Sequence, residues 1–503
     1  MTSTQITYLV IFIAYLLFNA VVGIWLGHRA DSKSNLSDEK KFFIGGRSMG
    51  GLVLAMTIMA TYTSVSSFVS GPGAAGMTYG YAQVWVAAVQ VPVTFLVLGV
   101  LGNKLALVSR RTGAVTVVGY LKARYKSDAL VIIVSLLMVV FVIAQMIGQF
   151  SGGATLISSI TGLDHVWALL IFGAVVIVYT AFGGFSAVAI TDTIQGIIMC
   201  IGTFLLLFFV LRAGGGVSGI DAGLQENLPG VYDSINSVYS NGGLLSYWIL
   251  VGFATLGLPQ TAVRAMGFKN TKSMHRAMWI GALTCAFVIV GMHLAGCWAG
   301  ALVSSEELGE LSSDYFIPYI VQKIMPSGIG GIFLAAPMAA VMSTADSLLI
   351  LAASAIIKDL WRNYVVKDNP QRVVKYNKNV KLISTVCTVV IGILVILLTI
   401  DPPQIVFFIN MFAFGGLECT FLWPLIGGLF WKRGTKQAAI AGSAGSVAVY
   451  ILFWALGKYA GLSIAGFHPV LWGLIGGGLA YFIVGYISSK NRPLDADILE
   501  NCF

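Results

Sequence analysis

Long apolar runs separated by short polar segments dominate this chain. With a window of about 20 residues, the length of helix that crosses a bilayer, the pattern predicts thirteen membrane spans. Their approximate cores are residues 5–27, 50–76, 83–107, 130–160, 166–180, 189–211, 244–266, 277–303, 329–356, 382–399, 405–430, 438–457 and 470–488. The pattern therefore predicts an all-α integral membrane protein with about thirteen transmembrane helices.

Composition excludes a soluble protein. Hydrophobic residues make up 57% of the chain and charged residues 10%, with a mean hydropathy of +0.86, whereas soluble domains carry about 25% charged residues. The net charge of +9 is confined to short segments between apolar runs, which is typical of membrane topology and not of a nucleic-acid partner. The six cysteines have no CxxC spacing, so disulfides and a metal cofactor are not expected.

The basic residues predict an orientation in the cell (inner) membrane. An N-terminus outside and a C-terminus in the cytoplasm place 27 of the 30 lysines and arginines inside, as the positive-inside rule requires. The first span lacks a basic leader and a cleavage site, so it is expected in the mature chain. Residues 314–323, in an outer loop, are either a short helix over a vestibule or a solvated loop.

Hydroxyl residues interrupt two of the predicted spans. Ser343 and Thr344 lie side by side in the ninth span, where small hydroxyls suit sodium, a hard cation that prefers oxygen ligands. The second span carries a run of hydroxyls and then Gly71-Pro72-Gly73, which predicts that its helical hydrogen bonding is broken. The alternative is that these hydroxyls bond their own helix or allow close packing.

The order of the spans predicts an internal repeat. Spans two to six and seven to eleven are five each, and an odd number gives the two repeats opposite orientation. The second set opens with its own break signal, Gly257-Leu-Pro-Gln260. We divide the chain into residues 1–49 (first helix and cytoplasmic linker), 50–430 (ten-helix core, repeats about 50–213 and 244–430) and 431–503 (two helices and a tail).

Several motifs resemble one family of transporters. They are Phe43-Ile-Gly-Gly-Arg-Ser48, Tyr179-Thr-Ala-Phe-Gly-Gly-Phe-Ser-Ala187 with Thr191-Asp-Thr193, Ala339-Ala-Val-Met-Ser-Thr344 and Phe430-Trp-Lys-Arg-Gly-Thr-Lys436. In this order they resemble the sodium:solute symporter family, from Phe42 to about Pro469. The resemblance implies a leucine-transporter-type fold built from five-plus-five inverted repeats. It also implies a sodium site formed by the carbonyls of Ala60, Thr63 and Ala340 and the hydroxyls of Ser343 and Thr344.

Other stretches, such as Gly257-Leu-Pro-Gln-Thr-Ala-Val-Arg264 and Phe414-Gly-Gly-Leu-Glu418, resemble the members that import pantothenate, with proline or another monocarboxylate as the alternative solute. Pantothenate is a carboxylate with an amide and hydroxyls, so neutral donors and helix N-termini suit it. The candidate contacts are Tyr62, Ser66, Gln83, Gln145, Gln149, Gln260 and Asn410. For the glutamines, hydrogen bonding between helices is the alternative role.

The intramembrane charges have structural and functional interpretations. Asp192 is either a charge at a helix N-terminus or a cation attractor on the exit path, and Asp346 is a candidate for lining the inner vestibule. Arg264, followed by Lys269 and Lys272, is interpreted as ordinary cytoplasmic charge. His293 is interpreted as a hydrogen-bonded core residue.

An enzyme is the main alternative class for this composition. The chain has no HExxH, G-x-S-x-G or P-loop motif, so catalysis is not expected. The sequence predicts sodium-coupled symport by alternating access, with sodium, a small solute such as pantothenate and the lipid bilayer as partners. Apart from sodium as coupling ion, no cofactor, no nucleic acid and no obligate protein partner are expected.

Overall fold

The computed structural model describes residues 2–32, 47–232, 239–401, 406–462, 464, 466–490 and 495–503. Helices make up nearly all of this part of the chain, and its one isolated bridge pairs Met49 with Phe268. Most of the predicted linker after the first helix, Phe43 of the first family motif and the predicted start of the eleventh span at Ile405 lie outside the described residues.

The first half of the chain forms nine helices. They are α1 (Ser3–Ser32), α2 (Gly51–Tyr62), α3 (66–79), α4 (80–112, with a turn at 89–92), α5 (Val117–Tyr125), α6 (Asp128–Thr161), α7 (His165–Phe185), α8 (Ala187–Ala213) and α9 (Val217–Asn227). Gly184 separates α7 from α8, because its φ of 65° lies in the left-handed region that favours glycine. The chain therefore kinks there without a loop.

The second half forms ten helices and a few single turns. The helices are α10 (Asn241–Val251), α11 (Pro259–Met266), α12 (Thr271–Leu302), α13 (Ser313–Ile324), α14 (Ser327–Val366), α15 (Pro370–Thr399), α16 (Val406–Phe430), α17 (Lys436–Ala460), α18 (Pro469–Ser489) and α19 (Ala496–Cys502). Tight 3₁₀ turns at Phe253–Gly257 connect α10 to α11. The sequence allowed either a short helix or a solvated loop at residues 314–323, and the structure shows a helix there.

The number of spans agrees with the prediction once one long helix is divided. Among the described residues, eleven helices are long and apolar enough to cross a membrane, and the bent pair Gly242–Gly257 with Pro259–Met266 makes twelve. That count takes Ser66–Thr112 as a single helix, but Gly80 is non-helical (φ 52°, ψ −138°) and separates α3 from α4. Taking α2 with α3 as one broken span and α4 as another gives thirteen.

The helical hydrogen bonding of the second span is broken, as predicted, but the break lies in the run of hydroxyls, and its predicted position at Gly71-Pro72-Gly73 is wrong. The backbone leaves the helix at Thr63 and returns to it by Ser66, whereas Gly71–Ala74 is helical. Wide π-type turns on both sides of Pro72 accommodate a residue that has no N–H to donate. The second break is where it was predicted, with α11 bent by 43° from the segment before it.

The helix that carries Ser343 and Thr344 is the centre of the molecule. In the most apolar stretch of α14, 94% of the residues are buried, compared with 33% in α1 and in α17. α14 packs against α1, α2, α6, α8 and α15. Polar groups on α14 therefore face other helices and not lipid, which is the arrangement expected where polar side chains lie within a membrane.

Close backbone contact holds α3 against α12. A Cβ atom on Gly296 would lie 2.3 Å from the carbonyl oxygen of Pro72, and this backbone cannot move aside as a flexible side chain could. We predict that Gly296→Ala lowers the melting temperature of the purified protein in detergent, because overpacking costs about 1–3 kcal/mol. Gly445→Ala is the matched control, since the nearest atom to its added Cβ is 3.7 Å away. Equal melting of the two variants would contradict the packing.

Candidate functional site

The first helix break supplies a group of unpaired carbonyls. α2 ends at Tyr62 because Thr63 has an extended backbone (φ −74°, ψ 111°), and the last carbonyls of a helix have no N–H partner within it. The same end of the helix carries the partial negative charge of the helix dipole. The break therefore presents oxygen atoms in an environment that favours a cation.

The structure brings all five predicted sodium ligands together. The Ser343 hydroxyl lies 2.9 Å from the Ala60 carbonyl oxygen and 3.2 Å from that of Ala340. The Thr344 hydroxyl lies 3.1 Å from the Thr63 carbonyl oxygen and 3.0 Å from that of Ala340. All five residues are fully buried. The two contacts to Ala340 lie within α14, as expected if the hydroxyls only bond their own helix. The contacts to Ala60 and Thr63 instead join α14 to the end of α2.

The number of hydrogens in this cluster is too small for the number of oxygens. Thr344 also lies 3.2 Å from the Thr61 carbonyl, so the Ser343 and Thr344 hydroxyls face four carbonyls with one hydrogen each to donate. The Ala340 carbonyl, inside α14, also has the backbone N–H of Thr344 as its helical donor, so the shortage concerns the carbonyls of residues 60, 61 and 63 at the end of α2. A bound cation would satisfy them, because every oxygen in the cluster can act as a ligand.

A polar cavity lies beside the break. The space in it that a water-sized molecule can enter is about 30 Å³, room for only a water or two, so the cavity is nearly closed in this structure. Four of the candidate solute contacts line it: Tyr62, Ser66, Gln83 and Asn410. Asn410 Nδ2 donates to the hydroxyls of Ser64 (3.1 Å) and Ser66 (3.0 Å), so the cavity wall is ordered by contacts between α16 and the break.

The other three candidates do not line this cavity. Gln149 Oε1 accepts the backbone N–H of Val65 at 3.2 Å, and its Nε2 lies 3.4 Å from Asn410 Oδ1. Gln260 Nε2 lies 3.5 Å from Gln145 Oε1. These contacts match the alternative role of hydrogen bonding between helices, and Gln149 satisfies an amide that the break leaves free.

A second cavity of about 280 Å³ lies next to the first, on the side of the loop before α13. Gln83 and Tyr247 line both cavities. At this boundary the Tyr239 hydroxyl donates to Gln83 Oε1 at 2.6 Å, and the rings of Tyr79 and Tyr239 stack with centroids 5.2 Å apart. The polar cavity is therefore separated from a vestibule by a few aromatic and amide side chains.

Arg264 is buried and paired, so its interpretation as ordinary cytoplasmic charge is wrong. Its side chain is 2% exposed, and its Nη2 lies 3.1 Å from Asp192 Oδ2. The guanidinium also donates to Thr57 Oγ1 at 2.8 Å and to Ser347 Oγ at 2.7 Å. Asp192 lies beyond the first turn of α8, and this ion pair explains its position better than a helix N-terminus does.

Two further acids are fully buried. Asp346 accepts a hydrogen bond from Tyr179 (2.7 Å), and its other carboxylate oxygen lies 3.1 Å from the Ser347 hydroxyl. In this structure it therefore lies within a helix interface and not on the wall of a vestibule. Neither carboxylate oxygen of Glu418 has a hydrogen-bond partner among the described residues. Its backbone packs against Gly257, where an added Cβ would lie 3.0 Å from the Glu418 Cα.

Comparison with known proteins gives the family. Residues 42–445 match the model of the sodium:solute symporter family. The chain belongs to this family. It is similar to the sodium/pantothenate symporters of Haemophilus influenzae (40% identical over 458 residues, 90% of this chain and 91% of the relative) and Escherichia coli (39% over 473 residues, 94% of each). Its similarity to the osmoregulated proline transporter of Bacillus subtilis is lower, at 28% over 468 residues, 90% of each chain.

Solved structures show the fold of this symporter. A sodium-coupled sialic acid symporter matches with a TM-score of 0.79 at 19% identity, over 97% of this chain and 99% of the other. A nucleobase-cation-symport-1 family transporter matches with a TM-score of 0.55 at 14% identity, over 92% and 97%. The symporter therefore has the predicted leucine-transporter-type fold, and as a member of this family it is a transporter and not an enzyme.

Sequence reasoning missed several residues of the site. Gln90, Tyr247 and His293 line the polar cavity, and Ser347 connects the oxygen cluster to the ion pair by donating to the Ser343 carbonyl at 2.7 Å. The spacing of four between Ser343 and Ser347 places both on one helix face, a signal that was available in the sequence. The cavity residues gave no such signal, because α10 and α12 approach the break only in the folded molecule.

The buried ion pair allows a test of stability. We predict that Arg264→Met lowers the melting temperature of the symporter, because removing one partner of a buried pair costs about 3–5 kcal/mol. The double variant Arg264→Met with Asp192→Asn should regain part of the loss, since no charge is then left unpaired. Lys272→Met, at an exposed position of α12, is the control. Melting of Arg264→Met at the temperature of this control would show that the pair does not form.

Proposed function

We propose that this symporter imports pantothenate with sodium by alternating access. The observation that carries the proposal is the 40% identity to a sodium/pantothenate symporter over 90% of the chain. The polar cavity supports it, because the described residues that line it offer hydroxyls and amides and include no acid. Such a wall suits a carboxylate with an amide and hydroxyls, since no buried negative charge repels it.

Sodium binds, in this proposal, at the oxygen cluster between α2 and α14. The ligands are the carbonyls of Ala60, Thr63 and Ala340 with the hydroxyls of Ser343 and Thr344. When the ion is bound, each hydroxyl turns its hydrogen away and offers a lone pair. Sodium then joins a helix of the proposed first repeat (50–213) to a helix of the second (244–430), and so favours one arrangement of the two.

Pantothenate binds at the position of the polar cavity, directly beside this ion. Because the cavity is nearly closed in this structure, the surrounding helices move apart to admit the solute. Tyr62, Ser66, Gln83 and Asn410 are the proposed contacts, since they form its wall. Gln149 acts indirectly by holding the break at Val65, and Gln145 and Gln260 lie outside the wall. Because the cavity and the oxygen cluster share the same break, a bound ion orders the residues that receive the solute.

The energy for import comes from the sodium gradient. Transport of one sodium with one pantothenate anion is electroneutral. Each additional cation that moves inward contributes about 2.3 kcal/mol of driving free energy per 100 mV of membrane potential. We further propose that the symporter lies in the inner membrane with its N-terminus outside, as its basic residues predict. The vestibule next to Gln83 and Tyr247 then opens toward the outer side.

Uptake into proteoliposomes tests the proposed function. We predict that purified symporter accumulates labelled pantothenate only with an inward sodium gradient, and that excess unlabelled proline does not compete. Replacing sodium with potassium on both sides is the control for leakage. Sodium-driven uptake of proline or another monocarboxylate, without pantothenate uptake, would reject pantothenate and leave the sodium site standing.

The sodium site has its own test. We predict that Ser343→Ala and Thr344→Ala each raise the sodium concentration for half-maximal uptake about tenfold, a loss of about 1.4 kcal/mol of binding free energy, with unchanged protein abundance. Thr388→Ala is the matched control, because within the described part of the chain the hydroxyl of this buried threonine bonds only to the Ser384 carbonyl of its own helix. If both site variants kept the sodium dependence of this control, the assignment would be wrong.

A further inference from the structure

The polar cavity contains a single basic side chain among the described residues that line it. His293, on α12, is 3% exposed and faces the cavity together with Ser66 and Ser67. The other polar groups of the wall are hydroxyls and amides, which donate hydrogen bonds but carry no charge. If the cavity holds an anion, His293 is therefore the one residue of the described wall that can supply a positive charge.

The orientation of the imidazole ring is determined by its neighbours. His293 Nδ1 lies 2.8 Å from the carbonyl oxygen of Ile289, and because a carbonyl only accepts, Nδ1 carries the hydrogen. Nε2 has no hydrogen-bond partner among the described residues. A Cβ atom on Gly71 would lie 2.4 Å from Nε2, so the ring fits there because residue 71 is glycine. In the neutral ring Nε2 is a free acceptor, and a proton added there becomes a donor.

Among the residues that the structure describes, no charged side chain forms a hydrogen bond or an ion pair with His293. The helices packed against α12 are α2, α3, α4, α8 and α9. α2 and α3 carry no Asp, Glu, Lys, Arg or His, and their titratable side chains are the phenols of Tyr62 and Tyr79. The charged and other titratable residues on the remaining three helices are Tyr81, Lys104, Arg110 and Arg111 on α4, Asp192, Cys200 and Arg212 on α8, and Asp221 and Glu226 on α9. None of those described forms a hydrogen bond with His293.

We propose that His293 binds the carboxylate of the solute through a protonated Nε2, so that the solute anion and one proton enter the cavity together. The imidazole takes a proton from water on the outer side and donates it in a charge-assisted hydrogen bond to the carboxylate. A buried imidazolium is stable only while it is paired, so the proton leaves when the solute leaves on the inner side. The Nε2–H bond forms when the proton is taken up from outer water and breaks when the proton returns to inner water, no other covalent bond changes, and each cycle carries sodium, one proton and one carboxylate. This inference rests on the proposed function, because it requires the cavity to hold a monocarboxylate.

The binding affinity at different pH values tests the inference. The probes are labelled pantothenate and its alcohol analogue, in which a hydroxymethyl group replaces the carboxylate, measured on the purified full chain at saturating sodium from pH 6 to pH 8. A carboxylate stays ionised throughout this range. Since the protonated ring binds the anion, we expect the pantothenate Kd to rise with pH, by up to about tenfold per unit. The Kd of the uncharged analogue should stay constant.

Variants of the ring separate its charge from its shape. His293→Asn keeps an N–H near the Ile289 carbonyl, and His293→Gln places a neutral amide near Nε2. Both should bind pantothenate about tenfold more weakly at pH 6, lose the pH dependence and keep the affinity for the alcohol. His275→Gln, at an exposed position of the same helix, should behave as wild type.

The outcomes distinguish this inference from the proposed function. Wild-type symporter that binds pantothenate with the same Kd at pH 6 and pH 8 would overturn the inference alone. The same follows if either His293 variant keeps the full pH dependence of the wild type. Wild type that binds neither compound at any pH would overturn the proposed function and, with it, this inference. If a His293 variant is too unstable to bind the alcohol, the pH dependence of the wild-type Kd for pantothenate alone decides whether the inference stands.

Discussion

A helix that breaks inside a bilayer frees carbonyl and amide groups where no water can satisfy them, and the transport core is built around that constraint. The carbonyls freed at residues 60–63 meet Ser343 and Thr344. The Val65 amide meets Gln149, and the Ser64 hydroxyl meets Asn410. These partners come from α14, α6 and α16. A single interruption of α2 therefore determines where three other helices lie.

The same helix that receives the carbonyls extends the network further. Ser347, one turn beyond Ser343 on α14, donates to the Ser343 carbonyl and accepts from Arg264. Arg264 in turn pairs with Asp192 on α8 and bonds Thr57 on α2. The oxygen cluster and the buried ion pair are thus two parts of one hydrogen-bonded group, with α2 and α14 contributing to both. A shift of α2 relative to α14 alters both parts together.

Hydropathy predicted the spans well, because the thickness of the bilayer sets the length of an apolar helix. Hydropathy did not locate the first break. Pro72 is the stronger signal for a break in the sequence, but wide π-type turns on both sides accommodate it within a helix. The five oxygens of the cluster came from resemblance to a family, and their contacts lie up to 283 residues apart along the chain. Arg264 was misjudged because a basic residue near the end of an apolar run commonly marks the cytoplasmic side, and only the fold places Asp192 opposite it.

The hydrogen bonds through Ser347 place a buried arginine two hydrogen bonds away from the proposed cation site. An unpaired guanidinium there would repel a cation strongly, because the protein interior has a low dielectric constant. Asp192, 3.1 Å from Arg264, leaves the pair without net formal charge. The carboxylate on α8 therefore makes a buried arginine compatible with a cation held nearby.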